Sequence, residues 1–254
     1  MPRHELRRVN RLRGTDAKAR WSVSHARDPF AIQPHQLSNE LHGSVYAMRK
    51  GVITLDADGV LLDYSAAYAK AWERAFSWHP IERDPSAYWP IHRWGVRRLE
   101  GESLERFRSC FDTKFWSTLP AIDGAVEACN ALHDAGFTLI CVSALERRHE
   151  TARLNNLRMR GFPIERVVAT DSGESAISPK ARALSELDPL AFVDDYLPYL
   201  RGLKESIHTA LVLGPPTGSP NVGAELAALG SQHVDLLAFS RWWIGSDHAG
   251  PRRR

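Results

Sequence analysis

From Pro120 onward the chain alternates between two periodicities, and this alternation limits the possible fold more than any other feature. Short apolar runs at Phe137–Val142, Arg166–Thr170, Leu190–Val193 and Thr209–Leu213 have the length and β-branched content of buried strands. Helical segments separate them. Asp123 is placed to cap a helix that Gly136 ends. Ser143-Ala-Leu-Glu146 has the form of a capping box that opens a helix to about Arg160. Ser178-Pro179 reads as a cap followed by proline at the first helical position, and a last helix is expected over 235–243. Upstream, residues 51–56 form one more apolar strand. Tyr68, Trp72 and Phe76 then recur every four positions within 64–78, and a second helix is expected at 103–116. Strand–helix alternation of this kind predicts an α/β fold with a mostly parallel sheet and helices on both faces.

In such sheets ligands sit outside the carboxyl ends of the strands. Asp56, Ser143 and Asp194 each fall at the end of an expected strand, and Lys180 falls in the first turn of a helix entered from the same edge. Asp56 and Asp58, one residue apart on an extended segment, point to one side, and Gly59 permits a sharp turn beside a ligand. One carboxylate of such a pair can attack phosphorus, while the other protonates the leaving oxygen and later activates water. Asp194-Asp195 offers oxygens suited to Mg²⁺. Several carboxylates facing a phosphate dianion repel one another by roughly 4 kcal/mol per close pair at 4 Å and an effective dielectric of 20. A divalent cation and Lys180 would relieve that repulsion. Taken singly, each feature has an ordinary explanation: an acidic turn, a solvated lysine, a serine used for capping. Their order and common edge are what select phosphate chemistry.

The segments DADGVLLD (56–63), CVSA (141–144), SPKARA (178–183) and FVDDYLPYL (192–200) resemble, in order, the four motifs of the haloacid dehalogenase-like (HAD) hydrolase superfamily. The resemblance spans about residues 51–240. It implies a Rossmann-like core, a phosphoaspartyl mechanism and Mg²⁺. On this chain Asp56 would be the nucleophile and Asp58 the general acid/base. Ser143 and Lys180 would bind the phosphoryl group. The metal would be held by Asp56, the backbone carbonyl of Asp58, and Asp194, with Asp195 helping directly or through water. The last motif lacks a preceding glycine and a following acidic residue, so Asp194 and Asp195 are not separable as ligand and helper. The family often inserts a helical cap after its first motif, and residues 64–119 fit that place. The expected organisation is therefore an arm at 1–47, a core at 48–63 and 120–245, a helical cap at 64–119 and a tail at 246–254. Five tryptophans (Trp72, Trp78, Trp89, Trp94, Trp116) fall in the cap, most of them expected in its core. His92, Arg93, Arg97 and Arg98 read as a solvated basic face that could also meet an anionic substrate.

The activity expected is a Mg²⁺-dependent phosphatase for a small phosphorylated metabolite. Asp58 disfavours the dehalogenase branch, which lacks an acid there. A mutase using the same residues, and a catalytically silent HAD-like binding protein, remain as alternatives. A receiver domain would carry its acidic pair and acceptor in the opposite order.

Charge is unevenly spread over the 254 residues. Residues 1–50 hold ten Lys/Arg and four Asp/Glu, a balance of +6, which leaves 33−10 = 23 basic and 30−4 = 26 acidic residues elsewhere, a balance of −3. A basic arm could touch nucleic acid or anionic lipid. It reads instead as a disordered or non-native extension, so neither nucleic acid nor membrane is expected as a partner. The arm lacks the apolar stretch of a secretory signal, and Glu5 and Asp16 count against a transit peptide. Met48 offers a later start. Cys110, Cys129 and Cys141 show neither a disulfide framework nor a zinc spacing, which suits a reducing cytoplasm.

Overall fold

The computed structural model describes residues 49–170 and 176–246. The arm at 1–47 and the tail beyond Ser246 lie outside the described residues. Six parallel strands form one sheet: β1 (Gly51–Leu55), β2 (Phe137–Ala144), β3 (Ile164–Thr170), β4 (Ala191–Asp194), β5 (His208–Val212) and β6 (Ser231–His233). Their spatial order is β3-β2-β1-β4-β5-β6, the Rossmann arrangement, and β6 is a strand that periodicity missed. The order reverses between β1 and β4, so a crevice opens where these two strands end.

Strand residues alternate between two hydrophobic clusters, as the period of two requires. Leu139 and Cys141 of β2, Val193 of β4 and Ala210 of β5 join the larger one. Their neighbours Ile140, Val142, Phe192 and Leu211 join the smaller. The larger cluster is covered by α5 (Ala125–Asp134), α6 (Glu150–Met159) and α8 (Leu236–Gly245). The smaller is covered by α7 (Ala181–Leu187) and the 3-10 turn at Leu197–Leu200.

Between β1 and α5 stand four helices: α1 (Tyr64–Phe76), α2 (Pro90–Arg93), α3 (Gly101–Arg108) and α4 (Thr113–Trp116). Asp63 caps α1, its Oδ1 accepting from the Ala66 N–H at 2.8 Å. Ala67, Ala71, Trp72, Phe107 and Phe115 from this insert enter the larger cluster, so the insert shares its apolar interior with the sheet.

Four local expectations are corrected. The helix expected at 103–116 is two, because Asp112 turns its carboxylate onto the Phe115 N–H at 2.9 Å and starts α4 afresh. Asp123 does not cap α5. Gly124 does, at φ +76°, a conformation costly for any other residue. Ser143 does not open a helix. Strand β2 runs on through Ala144 because Ser143 and Ala144 pair with Ala169 and Thr170 of β3, and Leu145 N–H donates to Thr170 O at 3.2 Å. Helix α6 begins only at Glu150, whose Oε1 accepts from the Ala169 N–H at 2.8 Å. Finally, α7 starts at Ala181, just after Lys180. Ser178 Oγ accepts from the Lys180 N–H at 3.1 Å in the turn before it.

Candidate active site

Parallel pairing of β1 with β4 brings the carboxyl ends of both strands together, and the Asp56 N–H donates to Val193 O at 2.9 Å. This registers Asp56 beside Asp194 and Asp195. One carboxylate oxygen from each of these three lies within 4.8 Å of the others. Gly59 completes the approach. At φ +85° it turns the chain against β4, and a Cβ there would overlap the Asp195 carboxylate.

Lys180 is wholly buried between the strand ends. Its Nζ lies 2.8 Å from Asp56 Oδ1 and 2.7 Å from Asp194 Oδ2. Its ammonium also stands 4.7 Å from the Tyr199 ring centroid. Burial acts to lower the Lys180 pKa, but the carboxylates of Asp194 and Asp56 outweigh it, so the group is held charged. The contact to Asp56 is a buried ion pair that ties the end of β1 to Lys180. Asp194 Oδ1 accepts from the Tyr196 N–H at 2.9 Å.

Asp58 is held from the opposite side. Arg153 of α6, also wholly buried, grips both its oxygens at 2.7 and 2.9 Å while a quarter of the Asp58 side chain stays exposed. The Arg153 guanidinium stacks 4.9 Å from the Trp116 ring of the insert. Burial raises the Asp58 pKa, and Arg153 pulls it back.

When ionised, Asp56, Asp58, Asp194 and Asp195 carry four negative charges against the two of Lys180 and Arg153, a formal excess of two. The titration of the later pair is shifted chiefly by burial. Burial pushes Asp194 up to about 7, with Lys180 opposing the rise and Asp56 adding to it. Asp195 is raised well above the usual carboxylate range by burial and by the charges of Asp194 and Asp56. The three converging carboxylates, an all-oxygen donor set, fit a divalent cation.

Asp56, Asp58 and Asp195 open onto a cavity of about 820 Å³, while Lys180, Arg153 and Asp194 lie behind its wall. Ser143, 1% exposed, also lines it. The insert and the loop at 214–221 supply other parts of the lining. Ala87 and Thr217 form a parallel bridge: the Tyr88 N–H donates to Thr217 O at 3.0 Å, and the Thr217 N–H to Ser86 O at 2.8 Å. The Tyr88 hydroxyl makes a long 3.4 Å bond to the Asp195 carbonyl. That same carbonyl accepts from Asn221 Nδ2 at 2.7 Å. Burial, with the charges of Asp195 and Asp194, raises the Tyr88 pKa. Arg93 lines the cavity but is paired with Glu82 at 2.7 Å, whereas His92, Arg97 and Arg98 are exposed and off the wall.

No protein-family model matches the chain, and no curated protein does. Its architecture is shared with a crystal structure described as a predicted phosphoglycolate phosphatase from Haemophilus somnus. That protein is 13% identical over 77% of this chain and 99% of its own, with a TM-score of 0.51. The fold is that of the HAD-like hydrolases. An L-2-haloacid dehalogenase (18% identical, 77% of this chain and 99% of that one, TM-score 0.48) and a HAD family hydrolase from Deinococcus radiodurans solved with phosphate and sodium (18%, 71% and 89%, TM-score 0.46) are also similar, at a level that carries no argument of its own. At these identities the HAD-like fold is what is shared, and the chemistry has to be read from this chain's residues.

The HAD-like fold brings all six residues expected from the motifs to one place. Sequence reasoning missed Arg153, Tyr88 and Asn221. Arg153 had a signal: it lies on the face of α6 that buries Ala152, Asn156 and Leu157, where an arginine needs a partner. Tyr88 and Asn221 had none, because both sit in irregular segments whose meeting depends on the Ala87–Thr217 bridge. Cys110, Cys129 and Cys141 are free and buried. Among the described residues no helix is long and apolar enough to cross a membrane.

Proposed function

We propose that the protein is a Mg²⁺-dependent phosphatase that hydrolyses a small phosphorylated metabolite through a phosphoaspartyl intermediate. The observation that carries this reading is the pairing pattern: four carboxylates at the switch point of the sheet, braced by two buried cations, with three of the carboxylates converging on one point. Asp56, at the end of β1, is the nucleophile. One of its oxygens forms a bond to phosphorus as the ester P–O bond breaks, and Asp58 delivers the proton that the leaving oxygen needs. Asp58, now a carboxylate again, takes a proton from the water that attacks the phosphoaspartate, which releases inorganic phosphate and regenerates Asp56. Lys180, 2.8 Å from Asp56, holds the nucleophile in place, and Ser143 donates its hydroxyl to a phosphoryl oxygen. Asp56, Asp194 and Asp195 would hold Mg²⁺, together with the Asp58 carbonyl that the motif resemblance adds. When bound, the ion supplies charge neutralisation for the transferring group. The helices of 64–116 act as a cap that shields the reaction from water. Mutase chemistry would need a place for a second phosphoryl dianion, and the insert's Arg93 is already engaged by Glu82.

The test is hydrolysis of 4-nitrophenyl phosphate in Mg²⁺ by the wild type and Asp56→Asn. The substitution is expected to abolish turnover while leaving the circular dichroism spectrum unchanged. Retained turnover would remove Asp56 as nucleophile.

A further inference from the structure

The acidic cluster accounts for the charges at one side of the cavity, but an aromatic wall adjoins it. Tyr88, Trp89, Tyr196 and Tyr199 make up this wall and belong to neither hydrophobic cluster. They form a continuous edge-to-face chain, with ring centroids 5.0 Å apart for Tyr88–Trp89, 6.2 Å for Trp89–Tyr196 and 4.8 Å for Tyr196–Tyr199. Trp89 keeps 38% of its surface exposed at the cavity wall. A tryptophan left open in this way offers a ring face or edge to a ligand, and aromatic pairs prefer this tilted geometry. The cavity, at about 820 Å³, is in the upper part of the range of roughly 300–1,000 Å³ that holds a small organic ligand. It therefore has room well beyond a phosphoryl group.

The charges on the same walls narrow the choice. Asp63, Asp123 and Asp235 add three carboxylates to the lining. Asp63 and Asp235 are fixed there by capping α1 and α8. Among the described lining residues the one arginine or lysine is Arg93, and its Nε is taken by Glu82 at 2.7 Å. A second anionic group on the substrate would meet repulsion and find its one cation already paired.

We infer that the substrate is a phosphate monoester whose leaving alcohol carries an aromatic ring and no second negative charge. This deepens the phosphatase reading and rests on it. The ring lies against Trp89, with Tyr88 and Tyr196 flanking it, and the ester oxygen points toward Asp58. Carboxylated aliphatic esters such as phosphoglycolate are excluded from this class.

The experiment uses the full chain with Mg²⁺ and three probes whose leaving alcohols are of similar acidity: benzyl phosphate, cyclohexylmethyl phosphate and 4-carboxybenzyl phosphate. The expected kcat/KM for the benzyl ester exceeds that for its saturated counterpart by about three- to tenfold, the span of an aromatic pair beyond its area. The carboxylated ester falls below the benzyl ester by about tenfold or more. Trp89→Ala narrows the first ratio, and Trp89→Phe, which keeps a ring, restores most of it. Equal rates for the ring and its saturated counterpart, or preference for the carboxylated ester, would overturn the inference. Binding of benzylphosphonate and cyclohexylmethylphosphonate, followed by calorimetry, separates the two readings. Preference for the aromatic phosphonate without turnover of any ester upholds the ligand class and sinks the hydrolysis. Turnover without aromatic preference does the reverse.

Discussion

The two ends of the cavity are built by opposite means. The phosphoryl end is rigid and ionic: its carboxylates stand on strand ends, and its cations, Lys180 and Arg153, are wholly buried. The leaving-group end is aromatic, comes from loops and short helices, and is joined to the core by the Ala87–Thr217 bridge. The first can hold charge through a reaction because its partners are locked by sheet register. The second can change from one substrate to another at Tyr88 and Trp89, which belong to neither hydrophobic cluster, while Tyr196 and Tyr199 are tied to Asp194 and Lys180. The same fold can thus keep its chemistry while its specificity drifts.

The sharpest way to break this contrast is at Lys180. Lys180→Met leaves Asp56 and Asp194 facing each other without their cation, and such removal costs about 3–5 kcal/mol. Turnover should be lost and the urea midpoint lowered. A fully stable, active Lys180→Met protein would mean that the phosphoryl end is not ionically braced.

Arg153 is next. Arg153→Met should lower kcat by about 10²- to 10³-fold, the scale of general acid–base catalysis, with a small change in KM. Arg153→Lys should recover only part of it, since a lysine lacks the two-pronged grip. Equal losses in kcat and in thermal stability, with no partial rescue, would make the arginine a structural prop only.

The metal gives a third and smaller effect. Saturating Mg²⁺ at a hundred times its Kd should stabilise the fold by about 2.7 kcal/mol, read as a rise in melting temperature over the EDTA-treated protein. The pH dependence follows from Asp194. Its folded pKa, near 7, is above its ordinary value of 3.8, so without metal its contribution favours the folded state at low pH and is lost as pH rises through about 7. Mg²⁺ needs the ionised carboxylates, so its stabilising effect should grow over the same interval. Melting scans at pH 5 and pH 8, with and without Mg²⁺, check both signs. A Mg²⁺ effect larger at pH 5 would remove the acidic cluster as the metal site.

The smallest effect is expected at the aromatic end. Ser86→Ala removes the 2.7 Å hydroxyl contact to Thr217, an exposed bond worth about 1 kcal/mol at most. It should raise KM for benzyl phosphate several-fold and leave the Asp56 chemistry intact. An equal fall in kcat would show that the two ends are mechanically coupled, contrary to the contrast drawn above.

Much of the phosphoryl end was legible in the chain. Apolar runs ending on Asp56 and Asp194 identify strand termini, because strands buried on both faces are continuous and apolar. Ser143 shows how a correct residue can carry a wrong local reading. Its spacing to Glu146 satisfies a capping box, but the ladder to β3 holds Ser143 in the strand, and Glu146 pairs with Arg148. The aromatic end was legible only as composition: tryptophans in the right interval, with nothing to say that Trp89 meets Tyr196 across 107 positions.

The sequence by itself determined the alternation of strands and helices, the edge on which the acidic residues gather, and the identity of the groups available for phosphate chemistry. These follow from local periodicity and from the rule that parallel strands point their ends the same way. Only the tertiary structure decided that Arg153 clamps Asp58, that Lys180 bridges two strand ends, and that the 214–221 loop fastens the insert over the site. Those contacts join residues far apart in the chain, and their partners are chosen by packing and burial, which no spacing along one segment encodes.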